Sequence, residues 1–306
     1  MTKIHEALGK LQASSARREG NHKVDAAHGA DSSLYLPSID SLPNGEALLA
    51  SDDQADRVEI DFSKLCDEGL FPPVDQQREI ADQYRLIKRP LVDNASGVGA
   101  YQAEDANLIM VTSALPGDGK TFTCLNLALS MAKERDKSVL LVDADVVKPH
   151  ISTLFGLQDK PGLVDLLKSD DLSIKQTVVP TSVDNLWLLP AGREDAHASE
   201  LLASRRMEAV ARALSGQGSN WIVLIDSPPI LVTSEARVLA KNMGQIVLVV
   251  CAGKTPQDAV IDAATSFDIS KPIGVVLNRL SRTKRHEYYG YGSRGQAGDR
   301  QQSVRA

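Results

Sequence analysis

The chain has 306 residues, 42% of them hydrophobic, with a formal net charge of −6. This is the composition of a globule with enough apolar residues to build a core, and its acidic balance argues against general nucleic-acid binding. Cys66, Cys124 and Cys251 are odd in number and far apart, which excludes a disulfide framework and fits a reducing compartment.

Along the chain, residues 2–12 read as a short amphipathic helix with Ile4, Ala7, Leu8 and Leu11 on one face. It reads either as a docking element or as a loosely held terminus. The stretch that follows is rich in Ser, Ala, Asp and Gly and reads as a disordered acidic linker. From Glu19 to Asp61 ten acids face Lys23 and Arg57, a charge of −8. The tail is the reverse: from Arg279 onward seven Arg or Lys face two acids, a charge of +5. Three regions are expected: 1–75 as short helix plus linker, 76–280 as one catalytic domain, and 281–306 as a basic tail. No apolar run approaches the ~18 residues of a membrane helix. The N-terminus lacks the layout of a signal peptide. A cytoplasmic protein is expected, with any membrane association made through a partner.

Between linker and tail, apolar runs predict strands at 108–112, 139–142, 186–189, 222–225, 246–250 and 273–277. Helical patterns lie at 120–134, 199–214, 234–242 and 256–267. This alternation predicts an α/β fold: a doubly wound, mostly parallel sheet with helices on both faces. The strand runs are nearly continuous in Val, Ile and Leu, as strands covered on both faces should be.

Ala114-Leu115-Pro116-Gly117-Asp118-Gly119-Lys120-Thr121 fits the phosphate-loop pattern, and it sits between a predicted strand and a predicted helix. Gly117 and Gly119 let the backbone curl so that successive N–H groups face phosphate oxygens. The helix N-terminus adds a positive dipole end. Lys120 is placed to reach the β- and γ-phosphates and the Thr121 hydroxyl to ligate magnesium. Pro116 to Phe122 are therefore the expected ATP-binding residues.

Two acidic stations follow apolar runs: Asp143-Ala144-Asp145, and Asp226 before Ser227-Pro228-Pro229. In a doubly wound sheet, ligands sit at the carboxyl ends of the strands, so all three aspartates are aimed at the nucleotide edge. Asp145 and Asp226 are the expected magnesium-side groups, since magnesium takes one or two carboxylates directly. Asp143 is expected to orient or deprotonate an attacking hydroxyl. Asn278, at the end of the last predicted strand, reads either as a partner for adenine or as a turn residue.

These residues resemble the bacterial tyrosine kinases, and most closely the cytoplasmic tyrosine autokinases associated with exosortase and exopolysaccharide gene clusters. The resemblance extends to Gln83-Tyr84-Arg85-Leu86-Ile87-Lys88-Arg89-Pro90, Leu189-Pro190-Ala191-Gly192, Glu200-Leu201-Leu202-Ala203-Ser204 and Thr233-Ser234-Glu235-Ala236-Arg237. It covers about two-thirds of the chain. It implies ATP and Mg2+ as cofactors, and Tyr288, Tyr289 and Tyr291 as an autophosphorylation cluster. It implies a homo-oligomer joined through a helix motif whose aligned residues here are Asp82, Arg85 and Lys88. It also implies a separately encoded, membrane-embedded polysaccharide chain-length regulator as activator. The chain departs from the family pattern in three places: Asp82 stands where the family carries Glu, and Lys88 and Val147 stand where it carries Arg.

The function this implies is an ATP-dependent tyrosine autokinase. It would phosphorylate its own tail in trans and so regulate exopolysaccharide polymerisation and export. Two alternatives stand beside it. One is a positioning or partition-type switch ATPase, against which Leu115 stands where those proteins carry a second lysine. The other is a non-catalytic ATP-bound scaffold of an export complex.

Overall fold

A computed structural model of the protein describes residues 57–101, 105–216, 220–268 and 270–280. The expected helix over 2–12, the acidic segment through residue 56 and the tyrosine tail lie outside the described residues.

Seven strands form one sheet: β1 (Leu108–Ser113), β2 (Ser138–Asp143), β3 (Val179–Pro180), β4 (Leu186–Leu189), β5 (Trp221–Asp226), β6 (Gln245–Cys251) and β7 (Ile273–Asn278). Their order is β3-β4-β2-β5-β1-β6-β7. All neighbours are parallel except β3 and β4. The fold is the doubly wound α/β architecture of phosphate-loop proteins. Among the described residues the helices are α1 (Phe62–Asp67), α2 (Gln77–Ala95), α3 (Lys120–Met131), α4 (His150–Leu154) and α5 (Leu163–Lys168). They continue with α6 (Ile174–Thr177), α7 (Ala198–Leu202), α8 (Arg205–Ser215), α9 (Ser234–Lys241) and α10 (Gln257–Thr265).

Strand periodicity divides the core in two. Leu108, Met110, Leu140, Val142, Val223 and Ile225 pack on one face with residues of α5, α8, α9 and α10. Ile109, Val111, Val139, Leu141, Ile222 and Leu224 pack on the other with residues of α2, α3 and α4. Every residue of β1, β2, β5 and β6 is buried, which explains their unbroken apolar runs. β7 differs from expectation. It is an edge strand, and Val275 and Leu277 are exposed.

Three further differences have local causes. The segment before residue 76 is not all linker: Ile60 and Leu65 are buried in the core, and Val58 bridges Thr181. Its apolar side chains dock on the sheet in place of the solvated chain that its acidic surroundings suggest. The helix expected over 199–214 is two helices, because Ser204 is extended at ψ 160° and its hydroxyl donates back to the Leu201 carbonyl. Helix α2, which carries the expected oligomer motif, buries Tyr84, Lys88, Leu91 and Asn94 along one stripe.

That stripe places Lys88 against α3. Its side chain is 10% exposed, and its Nζ lies 2.5 Å from Glu134 and donates to the Ser130 carbonyl at 2.7 Å. Lys88 is thus spent inside the domain, tying α2 to the C-terminal end of α3, where unpaired carbonyls favour a cation. Asp82 and Arg85 remain exposed and pair with each other at 2.8 Å.

Candidate nucleotide and metal site

The strand order places β2, β5 and β1 side by side, so their carboxyl ends meet at one edge of the sheet. Asp143 and Asp226 are register partners at the ends of β2 and β5. The phosphate loop leaves β1 beside them and enters α3. Lys120, Thr121, Asp143, Asp145 and Asp226 are all buried; hydrogen bonds link Lys120, Thr121, Asp145 and Asp226, and strand register sets Asp143 beside Asp226.

Two contacts join the loop to the acidic stations. The Thr121 hydroxyl donates to Asp226 Oδ2 at 2.8 Å. Lys120 Nζ donates to Asp145 Oδ2 at 2.9 Å. Asp143 Oδ2 accepts from both the backbone N–H and the hydroxyl of Ser152, at 2.7 and 2.8 Å. The other oxygens, Asp143 Oδ1 and Asp226 Oδ1, are buried and have no hydrogen-bond partner among the described residues.

The electrostatics follow from burial. Burial and the neighbouring Asp226 raise the Asp143 carboxyl to about 7, against the two donors of Ser152. Burial raises Asp226 to about 6, against the Lys120 charge and the Thr121 hydrogen bond. Burial alone would lower the Lys120 pKa, but the charges of Asp226 and Asp145 outweigh it and the pKa is raised. The ammonium therefore stays charged. The underpaired buried oxygen of Asp226, beside a hydroxyl and a fixed cation, suits a hard divalent cation.

The loop backbone has the curl its glycines predict. Gly117 and Gly119 have φ of 82° and 96°, a region closed to most side chains. At Gly119 a Cβ would also meet Asn278 Nδ2 at 2.0 Å. The Asp118 side chain turns inward. Its Oδ2 accepts from the Leu115 N–H at 3.1 Å and its Oδ1 from the Thr255 hydroxyl at 2.7 Å. It braces the loop to the end of β6, leaving only its backbone to face a nucleotide.

Asn278 also grips this loop. Its Nδ2 donates to the Asp118 carbonyl at 2.9 Å and its Oδ1 accepts from Arg279 N–H at 2.8 Å. Arg279, which follows it, has φ of 55°, so the chain turns as β7 ends. Phe122 lines a cavity of about 780 Å³ with Tyr84, Gln83, Leu277 and Leu280 on the side of the loop facing α2.

Ser152 and Thr255 are not in the expected set. Neither belongs to a recognisable motif: Ser152 lies in the short helix α4, and Thr255 follows β6 in a turn. Their roles come from tertiary contacts alone. Val147 is 65% exposed, an apolar side chain in the open beside Lys148.

A family model described as "AAA domain" matches residues 106–254. The tyrosine-protein kinase YwqD of Bacillus subtilis is 34% identical over 218 residues, covering 70% of this chain and 87% of YwqD. The chain belongs to the bacterial tyrosine-protein kinase family. The tyrosine-protein kinase wzc of Salmonella typhimurium is 34% identical over 189 residues, 60% of this chain and 26% of wzc. The chain thus spans about a quarter of that longer relative. Among solved structures, the VpsO kinase domain superposes with a TM-score of 0.56 at 28% identity, covering 68% of this chain and 100% of that one. No helix among the described residues is long and apolar enough to cross a membrane.

Proposed function

We propose that this tyrosine kinase transfers the γ-phosphoryl group of ATP to tyrosines of its own tail, Tyr288, Tyr289 and Tyr291, on a neighbouring copy. The observation that carries the reading is the buried cluster of Lys120, Thr121, Asp143, Asp145 and Asp226 at the end of β1, β2 and β5.

The loop amides and Lys120 hold the phosphates, and Lys120 stays cationic to meet charge developing on them. Thr121 and Asp226, already in contact, would hold Mg2+, with Asp145 within the same cluster. Among the described residues no group of three or more His, Cys, Asp or Glu side chains is arranged to hold a metal unaided, so the nucleotide's oxygens would complete the shell. Bound magnesium would supply charge neutralisation on the phosphates. The buried Asp143 oxygen that has no partner among the described residues would accept from the acceptor hydroxyl once that group enters the site. A tyrosine hydroxyl, with a pKa of about 10, arrives protonated. Its oxygen bonds to phosphorus as the bond to the ADP oxygen breaks, and its proton passes to a carboxylate late in a loose transition state. The cavity beside Phe122 and Tyr84 is the proposed place for the nucleoside.

The basic tail, +5 from Arg279 onward, suits an ATP-loaded cleft. Each phosphotyrosine adds about −1.5 to −2 charges, so several would cancel that charge and release the tail. Asp82 and Arg85, exposed on α2, are proposed to face the neighbouring copy. As the family resemblance of its motifs implies, we place the kinase in control of exopolysaccharide export, with a chain-length regulator as its membrane partner. An exosortase-linked gene cluster is the proposed setting, and the cytoplasmic side of the membrane the proposed location.

Mixing tests the reaction in trans. Full-length Lys120→Met protein is incubated with ATP, Mg2+ and active protein whose tail tyrosines are replaced by Phe. Phosphotyrosine on the Lys120→Met chain is expected. ADP release without phosphotyrosine would instead support a switch ATPase.

A further inference from the structure

Asp143 is held by a serine that no phosphate-loop motif contains. The Ser152 hydroxyl donates to Asp143 Oδ2 at 2.8 Å and accepts from the Ala191 backbone N–H at 2.9 Å. A hydroxyl carries one hydrogen and two lone pairs. Because the Ala191 N–H can only donate, it occupies a lone pair and turns the hydrogen toward the carboxylate. Ser152 is 1% exposed and Ala191 2%, so bulk water does not compete for either group. The Ser152 backbone N–H, one of the donors a helix leaves unpaired in its first turn, reaches the same oxygen at 2.7 Å. Both donors therefore fall on Oδ2, while Oδ1 has no partner among the described residues.

Three separate segments converge on this one carboxylate: the end of β2, helix α4 and the turn after β4. The turn is itself fixed, since the Pro190 and Ala191 carbonyls accept from the Leu163 and Val164 N–H groups at the start of α5, at 2.9 and 2.8 Å. A side chain that only needed burial would be satisfied by the backbone donor. The added hydroxyl, with its hydrogen aimed by a third segment, selects one rotation of the carboxylate.

We propose that Ser152 is a positioning residue: by holding both its donors on Oδ2 it locks the Asp143 carboxylate so that the buried Oδ1 alone is left to accept a hydrogen bond from the acceptor hydroxyl when that group enters the site. The turn Pro190–Gly192 is the part that sets the serine's hydrogen. This inference rests on the reading of Asp143 as the group facing that hydroxyl. It adds a residue outside the nucleotide site whose loss would be felt in the transfer step and not in nucleotide binding.

The test uses full-length protein, steady-state kinetics and direct titration with a fluorescent ADP analogue, with Asp143→Asn as a parallel arm. Ser152→Ala removes the hydroxyl but keeps the backbone donor, and being smaller it fits the same space. The expected result is a loss of kcat of about tenfold to a hundredfold, the scale at which misplaced groups act. KM for ATP and affinity for the analogue should stay within about twofold. Ser152→Thr, which keeps the hydroxyl, should recover most of kcat; should it fail to fold, the kcat-against-KM split in Ser152→Ala decides alone. Unchanged kcat in Ser152→Ala, with Asp143→Asn inactive, overturns the inference and leaves the role of Asp143 standing. A joint fall in kcat and analogue affinity reduces Ser152 to a structural hydrogen bond and also overturns it. Full activity in Asp143→Asn overturns both the underlying reading and this inference.

Discussion

Asp143 and Asp226 stand opposite each other in register across β2 and β5, fully buried, each with one carboxylate oxygen unpartnered among the described residues. Two like charges so placed repel in a site with little water to screen them. The fold tolerates this because Lys120, Thr121 and Ser152 offset part of the cost. A site of this kind is less stable than the same fold without it, as functional sites often are.

The pH dependence follows from the sign. Both carboxyls are raised in the folded protein, Asp143 to about 7 and Asp226 to about 6. A raised carboxyl contributes stability that is fully present below its unfolded pKa and is lost as pH rises through the folded value. In protein kept free of magnesium by chelator, Asp143→Asn should therefore gain stability relative to the native chain as pH rises from about 4 to about 7. Thermal unfolding of both proteins across that range checks it. A difference in Tm that does not change with pH would contradict the assignment.

Lys88 gives a second prediction. Its ammonium ties α2 to Ser130 and Glu134 and is not on the outer face of the helix. Lys88→Met should cost about 1–3 kcal/mol, chiefly the penalty of leaving the part-buried Ser130 carbonyl without its donor, since Glu134 reaches solvent. It should leave sedimentation unchanged. Reversing the exposed Arg85 to Glu should do the opposite, shifting the oligomer while sparing stability.

A third concerns Thr255, which anchors the phosphate loop through Asp118. Thr255→Val keeps the shape and removes the donor, leaving a buried carboxylate oxygen with one partner fewer. The expected cost is about 1–3 kcal/mol, shared between folding and the loop's hold on phosphate. KM for ATP should rise several-fold with Gly119 and Lys120 untouched. An unchanged KM would mean that Asn278 alone holds the loop.

The fourth concerns the metal. Thr121→Ala should lower stability by about 1.5–3 kcal/mol through loss of the hydroxyl bond to Asp226. It should also abolish the strengthening of ADP binding by magnesium, whereas Thr121→Ser should keep it. Calorimetric titration of ADP with and without magnesium separates the two effects.

The sheet was largely legible in the sequence because β1, β2, β5 and β6 are buried on both faces and so carry unbroken apolar runs. Strand β3, two residues ending in Pro180, has too few positions to show a period. Helices α1, α4, α5 and α6 run four to six residues and are too short for a helical stripe to emerge. The positions of Lys120, Thr121 and the three aspartates could be read because loop and strand-end chemistry is local. The burial of Lys88 was not legible because a lysine on a charged helix reads as solvated, and only the tertiary approach of α3 buries it. Ser152 and Thr255 act through partners nine and 137 residues away in sequence, a pairing that spacing does not encode.

The central claim is tested most directly by mass spectrometry of the purified full-length protein after incubation with magnesium and ATP, beside a Lys120→Met control. The account predicts phosphate on Tyr288, Tyr289 or Tyr291 in the native chain and none in the control. ADP release with every tail tyrosine unmodified would contradict it.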